Sequence, residues 1–69
     1  MNITMEKSVP GRLYGRPGDV TRALGKLLHE VDELYSKMLE LGATNGANVR
    51  IDFIREGEAR LRIEGSDKP

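Results

Sequence analysis

His29 is the only histidine of the 69-residue chain, and it stands beside Glu30 with Glu33 four residues on. An imidazole among carboxylates could serve as a base or hold a metal weakly. There is no cysteine and no second histidine to complete a zinc set, and no nucleophile is paired with it. The plainer reading is an exposed surface histidine. The carboxylates Glu30, Asp32, Glu33 and Glu40 make an equally weak cation site. Adjacent Asp32 and Glu33 diverge around a helix, and Glu33 and Glu40 are two turns apart. No catalytic residue, metal ligand or cofactor is expected from these groups.

Two arginine groupings carry more. Residues 10–18, Pro-Gly-Arg-Leu-Tyr-Gly-Arg-Pro-Gly, hold three of the eight glycines and two of the three prolines. That density of breakers predicts a loop. The loop displays Arg12, Tyr14 and Arg16, residue types enriched at binding hot spots, so these three are the candidate contacts to a protein partner. The competing reading folds Leu13 and Tyr14 back to close the core. A phosphate-binding use is poorly supported. The glycines precede a helix, where free amides attract anions, but the lysine-serine/threonine ending is missing and no apolar strand feeds directly into the loop. The second grouping is Arg50, Arg60 and Arg62, with Arg55 nearby. As the outer face of a hairpin they could contact nucleic acid or another anion. Asp52, Glu56, Glu58 and Glu64 are interspersed, and no aromatic side chain is expected to point outward.

Overall charge leans the same way. Lys plus Arg and Asp plus Glu number 11 each, whereas a dedicated nucleic-acid binder is usually strongly basic. The charge is unevenly placed. Lys7, Arg12, Arg16, Arg22 and Lys26 face only Glu6 and Asp19 in residues 1–26, while Glu30, Asp32, Glu33 and Glu40 face Lys37 in residues 27–46. No apolar run approaches the length of a membrane span. The N-terminus has no signal-peptide pattern, so a cytoplasmic location is the expectation. Asn2-Ile3-Thr4 fits a glycosylation pattern and is read as chance.

The elements that must position these groups are few. Val20, Leu24, Leu27, Val31, Leu34, Met38 and Leu41 recur at alternating spacings of four and three, which predicts one long amphipathic helix. Leu28, Tyr35 and Leu39 widen its stripe. Asp19 is the expected N-cap, Gly42 the expected left-handed residue after the end, and Glu33–Lys37 a favourable pair. Gly25 costs helix stability unless a neighbouring backbone comes close. Residues 2–9 read as a strand, with Ile3, Met5 and Val9 on one face and Pro10 ending it. Residues 43–47, containing Asn45-Gly46, read as a turn. Residues 48–55 and 58–64 alternate cleanly and predict a hairpin. Placing Phe53 opposite Ala59, Ile51 opposite Leu61 and Val49 opposite Ile63 keeps the apolar faces together. That register leaves a three-residue loop, Arg55-Glu56-Gly57, with Gly57 where a left-handed residue is needed.

The expectation is therefore an α+β domain of order β-α-β-β over residues 1–65, with a polar tail at 66–69. A core this small is marginal, and with disulfides excluded, self-association is the remedy left. Leu24, Leu27, Leu28, Val31, Leu34, Tyr35 and Met38 are expected to serve core and dimer together. The function expected is a non-enzymatic homodimeric module that binds and modulates, or inhibits, a larger protein. A small nucleic-acid-binding regulator using Arg50, Arg60 and Arg62 is the alternative, and no membrane contact is expected.

Overall fold

A computed structural model describes all 69 residues. The order of elements is β1 (Asn2–Gly11), α1 (Pro17–Glu40), β2 (Asn45–Arg55) and β3 (Gly57–Ser66). The three strands form one antiparallel sheet in the order β1-β3-β2. This is the expected α+β, β-α-β-β arrangement. A 24-residue helix is about 36 Å long and a ten-residue strand about 34 Å. Helix and strands thus run the same length, in a molecule of 43 × 18 × 14 Å.

The hairpin has the expected register from Val49↔Ile63 through Ile51↔Leu61 to Phe53↔Ala59, but not the expected three-residue loop: the register shifts after Phe53, Arg55 pairs with Glu58, and the strands close to a tighter turn at Glu56. Gly57 takes the left-handed conformation at φ 81°. The central strand is β3, because β1 adds to its free side with Met5↔Ile63 and Val9↔Ala59. Several boundaries differ from the sequence reading. β1 continues through Pro10 to Gly11. Proline is tolerated there because β1 is an edge strand and the missing amide proton faces no partner. β2 begins at Asn45 rather than Asn48, through a register irregularity between those residues where the Asn48 side-chain amide donates to the Gly46 carbonyl at 3.0 Å. β3 runs to Ser66, which pairs with Asn2, and Asp67 beyond it meets the Met1 ammonium at 2.7 Å.

The helix starts earlier than expected. Its N-cap is Arg16, Pro17 opens the first turn, and Asp19 lies inside that turn rather than capping it. Proline suits the first helical position because the amide it lacks would be unpaired anyway. Asp19 still faces the positive end of the helix dipole and pairs with Arg22 at 3.7 Å. At the other end Gly42 has φ 70°. The Gly42 amide donates to the Leu39 carbonyl at 3.0 Å and the Ala43 amide to the Met38 carbonyl at 2.9 Å. These two bonds are the Schellman closure, and the buried side chains of Met38 and Ala43 provide its apolar contact.

The core joins Leu27, Leu34 and Met38 of α1 to Val9, Ala43, Ala59, Leu61 and Ile63, with Ile3, Met5 and Val31 packed at its margin. Only part of the expected stripe is buried. Leu24, Leu28, Tyr35 and Leu39 are exposed, because α1 lies over β1 and β3 and leaves β2 outside its footprint, and Leu41 is exposed at the C-cap beyond the last turn. Val49, Ile51 and Phe53 consequently remain 48%, 38% and 36% exposed although they belong to the inner face.

Two glycines make opposite predictions. A Cβ at Gly65 would stand 2.2 Å from the Ala43 carbonyl oxygen and 3.2 Å from the Met38 methyl. Gly65→Ala must therefore push the helix-closing loop off the sheet, lowering stability by about 3 kcal/mol or more in urea unfolding. Gly25 meets nothing within 4 Å, so no close backbone approach explains it. Gly25→Ala should raise stability by about 1 kcal/mol in the same assay.

Candidate functional site

The pairing of Gly11 with Gly57 brings the end of β1 to the hairpin turn. The approach is close. A Cβ on Gly11 would lie 2.9 Å from the Ala59 Cβ and 3.3 Å from both Leu27 and Phe53. The chain leaves this point as the loop 12–16, in which Gly15 has φ 137°, and enters α1 directly. Loop, hairpin turn and helix start thus share one end of the elongated molecule.

Arg12, Tyr14 and Arg16 are all exposed, and Leu13 and Tyr14 project outward rather than closing the core. Arg12, Leu13 and Tyr14 line a shallow cavity with Phe53 and the turn residues Arg55, Glu56 and Gly57. The nearby Glu56 carboxylate lifts the Tyr14 phenol above its ordinary pKa of 10.0, chiefly by favouring the protonated phenol that can donate to it. Loss of solvation and the carboxylate charge add to the rise, and the Arg12 cation opposes it. Arg16 stands apart at the helix N-cap, where its backbone carbonyl accepts from the Val20 amide at 3.0 Å.

Two further residues join this end that the sequence marked only as part of a basic N-terminal region, not as contacts. Arg22 and Lys26 line a cavity of 230 Å³ with Arg12, walled by Gly11 and Gly57, and Asp19 is the one carboxylate among them. The signal was available in the i, i+4 spacing of Arg22 and Lys26, which puts both on one helix flank. What was absent was the knowledge that this flank lies beside the end of β1.

The outer sheet face is different in character. Arg50, Arg60 and Arg62 do share it, but carboxylates answer most of their charge. Arg50 bonds Asp52 at 3.0 Å, and Arg62 lies 3.7 Å from Glu6 and 3.9 Å from Glu64. At the turn Arg55 pairs with Glu58 at 2.9 Å. The register places Arg50 opposite Arg62 as expected, and these acids, not an external anion, offset the repulsion. Asp52 faces Arg60 in register yet bonds Arg50 along its own strand.

The groups able to do acid–base chemistry are dispersed. His29 is exposed and its Nε2 meets Glu33 at 3.0 Å, so Glu33 turns back to His29 rather than forward to Lys37. Glu30 is taken by Lys7 of β1. No three His, Asp or Glu side chains converge on one point, and no helix is long and apolar enough to cross a membrane. Among the expected helix residues Leu27, Leu34 and Met38 are buried and Val31 half-buried, while Leu24, Leu28 and Tyr35 are exposed. No protein family, no curated protein and no solved structure matches this chain.

The Tyr14–Glu56 contact has a direct readout. In a Tyr35→Phe background, ultraviolet titration should place the remaining phenol above 10.0. Adding Glu56→Gln removes the negative charge and should bring it down toward that value, because the phenolate is then no longer opposed by a carboxylate.

Proposed function

We propose that this chain is a small non-enzymatic interaction module that acts as a homodimer and binds a larger protein. The observation that carries this reading is the uncovered apolar face made by one flank of α1 and the inner side of β2. Contiguous apolar surface on a small domain marks a place where protein is meant to sit. The second copy and the partner share that face. The exposed Arg12–Arg16 loop adds an aromatic and cationic anchor at one end of the molecule, suited to an acidic patch on the partner. Binding there would modulate, or inhibit, the partner by occupying its surface.

The nucleic-acid reading is the weaker one. Its arginines lie among Glu6, Asp52, Glu58 and Glu64 on the outer face, and phosphate binding depends on net positive potential.

The first experiment is the mass in solution with and without a mixed-sequence DNA duplex, at low and moderate salt. The expected result is a dimer whose mass the duplex does not change. A species that moves onto DNA at low salt and leaves it at higher salt would replace this reading with the nucleic-acid one.

Substitutions separate core from surface. Leu27 is 2% exposed and Leu28 65%. Leu27→Glu buries an unpaired charge and should abolish the folded circular-dichroism spectrum. Leu28→Glu should leave that spectrum and the stability within about 0.5 kcal/mol of the parent, while weakening partner capture. The triple variant Arg12→Ala, Tyr14→Ala, Arg16→Ala should likewise keep the fold and lose partner capture. Loss of folding in that variant would assign the loop to the core.

A further inference from the structure

The sheet has two edges, β1 and β2, and they are treated differently. A free edge presents unpaired amides and carbonyls to any strand that approaches. β1 carries Pro10, which has no amide to offer, and Lys7, whose register partner Leu61 puts it on the inner face. A charge pointing inward on an edge strand blocks continuation of the sheet, because a neighbour would bury it. Lys7 instead reaches Glu30 on the flank of α1 above it. β2 has neither device. From Asn48 to Phe53 its register with β3 is regular, it contains no proline, and its inner residues are Val49, Ile51 and Phe53.

The helix repeats the asymmetry. Glu30 marks the flank over β1. Leu24, Leu28, Tyr35 and Leu39, spaced four, seven and four apart, run along the opposite flank, which by the strand order is the β2 side. All four are exposed.

The order of charges along β2 then selects an occupant. In an antiparallel pair of identical strands, inner residues face inner residues only in registers that oppose a residue to itself at the two-fold axis or step by two. Centring on Arg50 sets two guanidinium groups against each other. Centring on Asp52 sets two carboxylates together and places Val49 opposite Arg55. Centring on Ile51 puts Arg50 opposite the other copy's Asp52 at both ends, Val49 opposite Phe53, and Ile51 opposite itself. Arg50 and Asp52 already bond each other within the strand at 3.0 Å, so both are held at this edge region and ready to exchange partners.

We propose that two copies of this chain join through their β2 edges, antiparallel, with Ile51 on the two-fold axis, to form a continuous six-stranded sheet. This rests on the homodimer reading above and deepens it. The two helices then lie on one face of the sheet, about four strand spacings or roughly 19 Å apart. Packed helices stand about 8–10 Å apart, so a furrow stays open between them. Both copies' Val49, Ile51 and Phe53 form its floor, and Leu24, Leu28, Tyr35 and Leu39 its walls. The apolar part of the partner surface is thus incomplete without the second copy.

The full chain has no cysteine, so single cysteines report register without interference. Directly opposed residues have Cα atoms about 4.5–5.5 Å apart, within disulfide reach. Ile51→Cys should therefore cross-link into a dimer under mild oxidation. Val49→Cys alone and Phe53→Cys alone should not, whereas a mixture of the two should. Charge reversal gives a second test. Arg50→Asp alone and Asp52→Arg alone each oppose like charges and should weaken self-association about tenfold. Mixing the two variants, or combining both changes in one chain, restores opposite charges and should recover the parent affinity. A parent dimer in which Ile51→Cys stays uncross-linked and Arg50→Asp changes nothing would overturn this pairing and leave the homodimer standing. A parent that remains a monomer at all concentrations would overturn both.

Discussion

A helix with its side chains is about 10–12 Å across, and three strands at about 4.8 Å spacing are wider than the area it can seal. One helix therefore covers two strands of this sheet, and the remaining features follow from which two. α1 settles over β1 and β3, since β3 is central and brings Ala59, Leu61 and Ile63 while β1 brings Val9. The small residues Ala59, Gly11 and Gly65 let helix, loop and sheet close together there. The consequence is a core of only eight buried residues, little for a domain of this size to rest on. The apolar width of the helix beyond the second strand has nothing of its own chain to meet.

Electrostatics sharpens that division. On the β1 side, the Lys7–Glu30 pair closes the flank of the helix with polar groups. On the outer face, the arginines of the hairpin sit among carboxylates that hold the local field near neutral. Net positive charge gathers at one end, where Arg12, Arg22 and Lys26 stand against a single Asp19, which pairs with Arg22. Surface ion pairs of this kind add little stability individually. They leave one apolar face and one cationic end as the surfaces not answered within the chain.

The sequence was most legible where a local rule and a longer pattern agreed. The seven-residue apolar repeat of α1, the left-handed Gly42 and Gly57, and the alternation of β2 and β3 each predict the same arrangement independently, so the helix, its closure and the hairpin register were all readable. Element ends were less so. Asp19 and Pro17 are both good helix starters, and the helix begins at the proline with Asp19 inside its first turn. Pro10 ends a central strand but not an edge strand, and strand order is not written in β1 itself. At the candidate site, Arg12, Tyr14 and Arg16 could be named from their loop, yet the place of Arg22 and Lys26 beside them could not, because what brings them there is the packing of the α1 flank against the end of β1 and the hairpin turn.

The amino-acid sequence alone determined the kinds of elements, the faces they present and the pairing of β2 with β3, because these depend on periodicity and on turn chemistry within a few residues. Only the tertiary structure decided which half of the helix stripe is core and which half is surface. Leu27 and Leu28 are the same residue type, adjacent in sequence, and both belong to the stripe. One is buried and the other exposed because a single helix must choose two strands out of three, and that choice is made by packing between elements far apart in the chain.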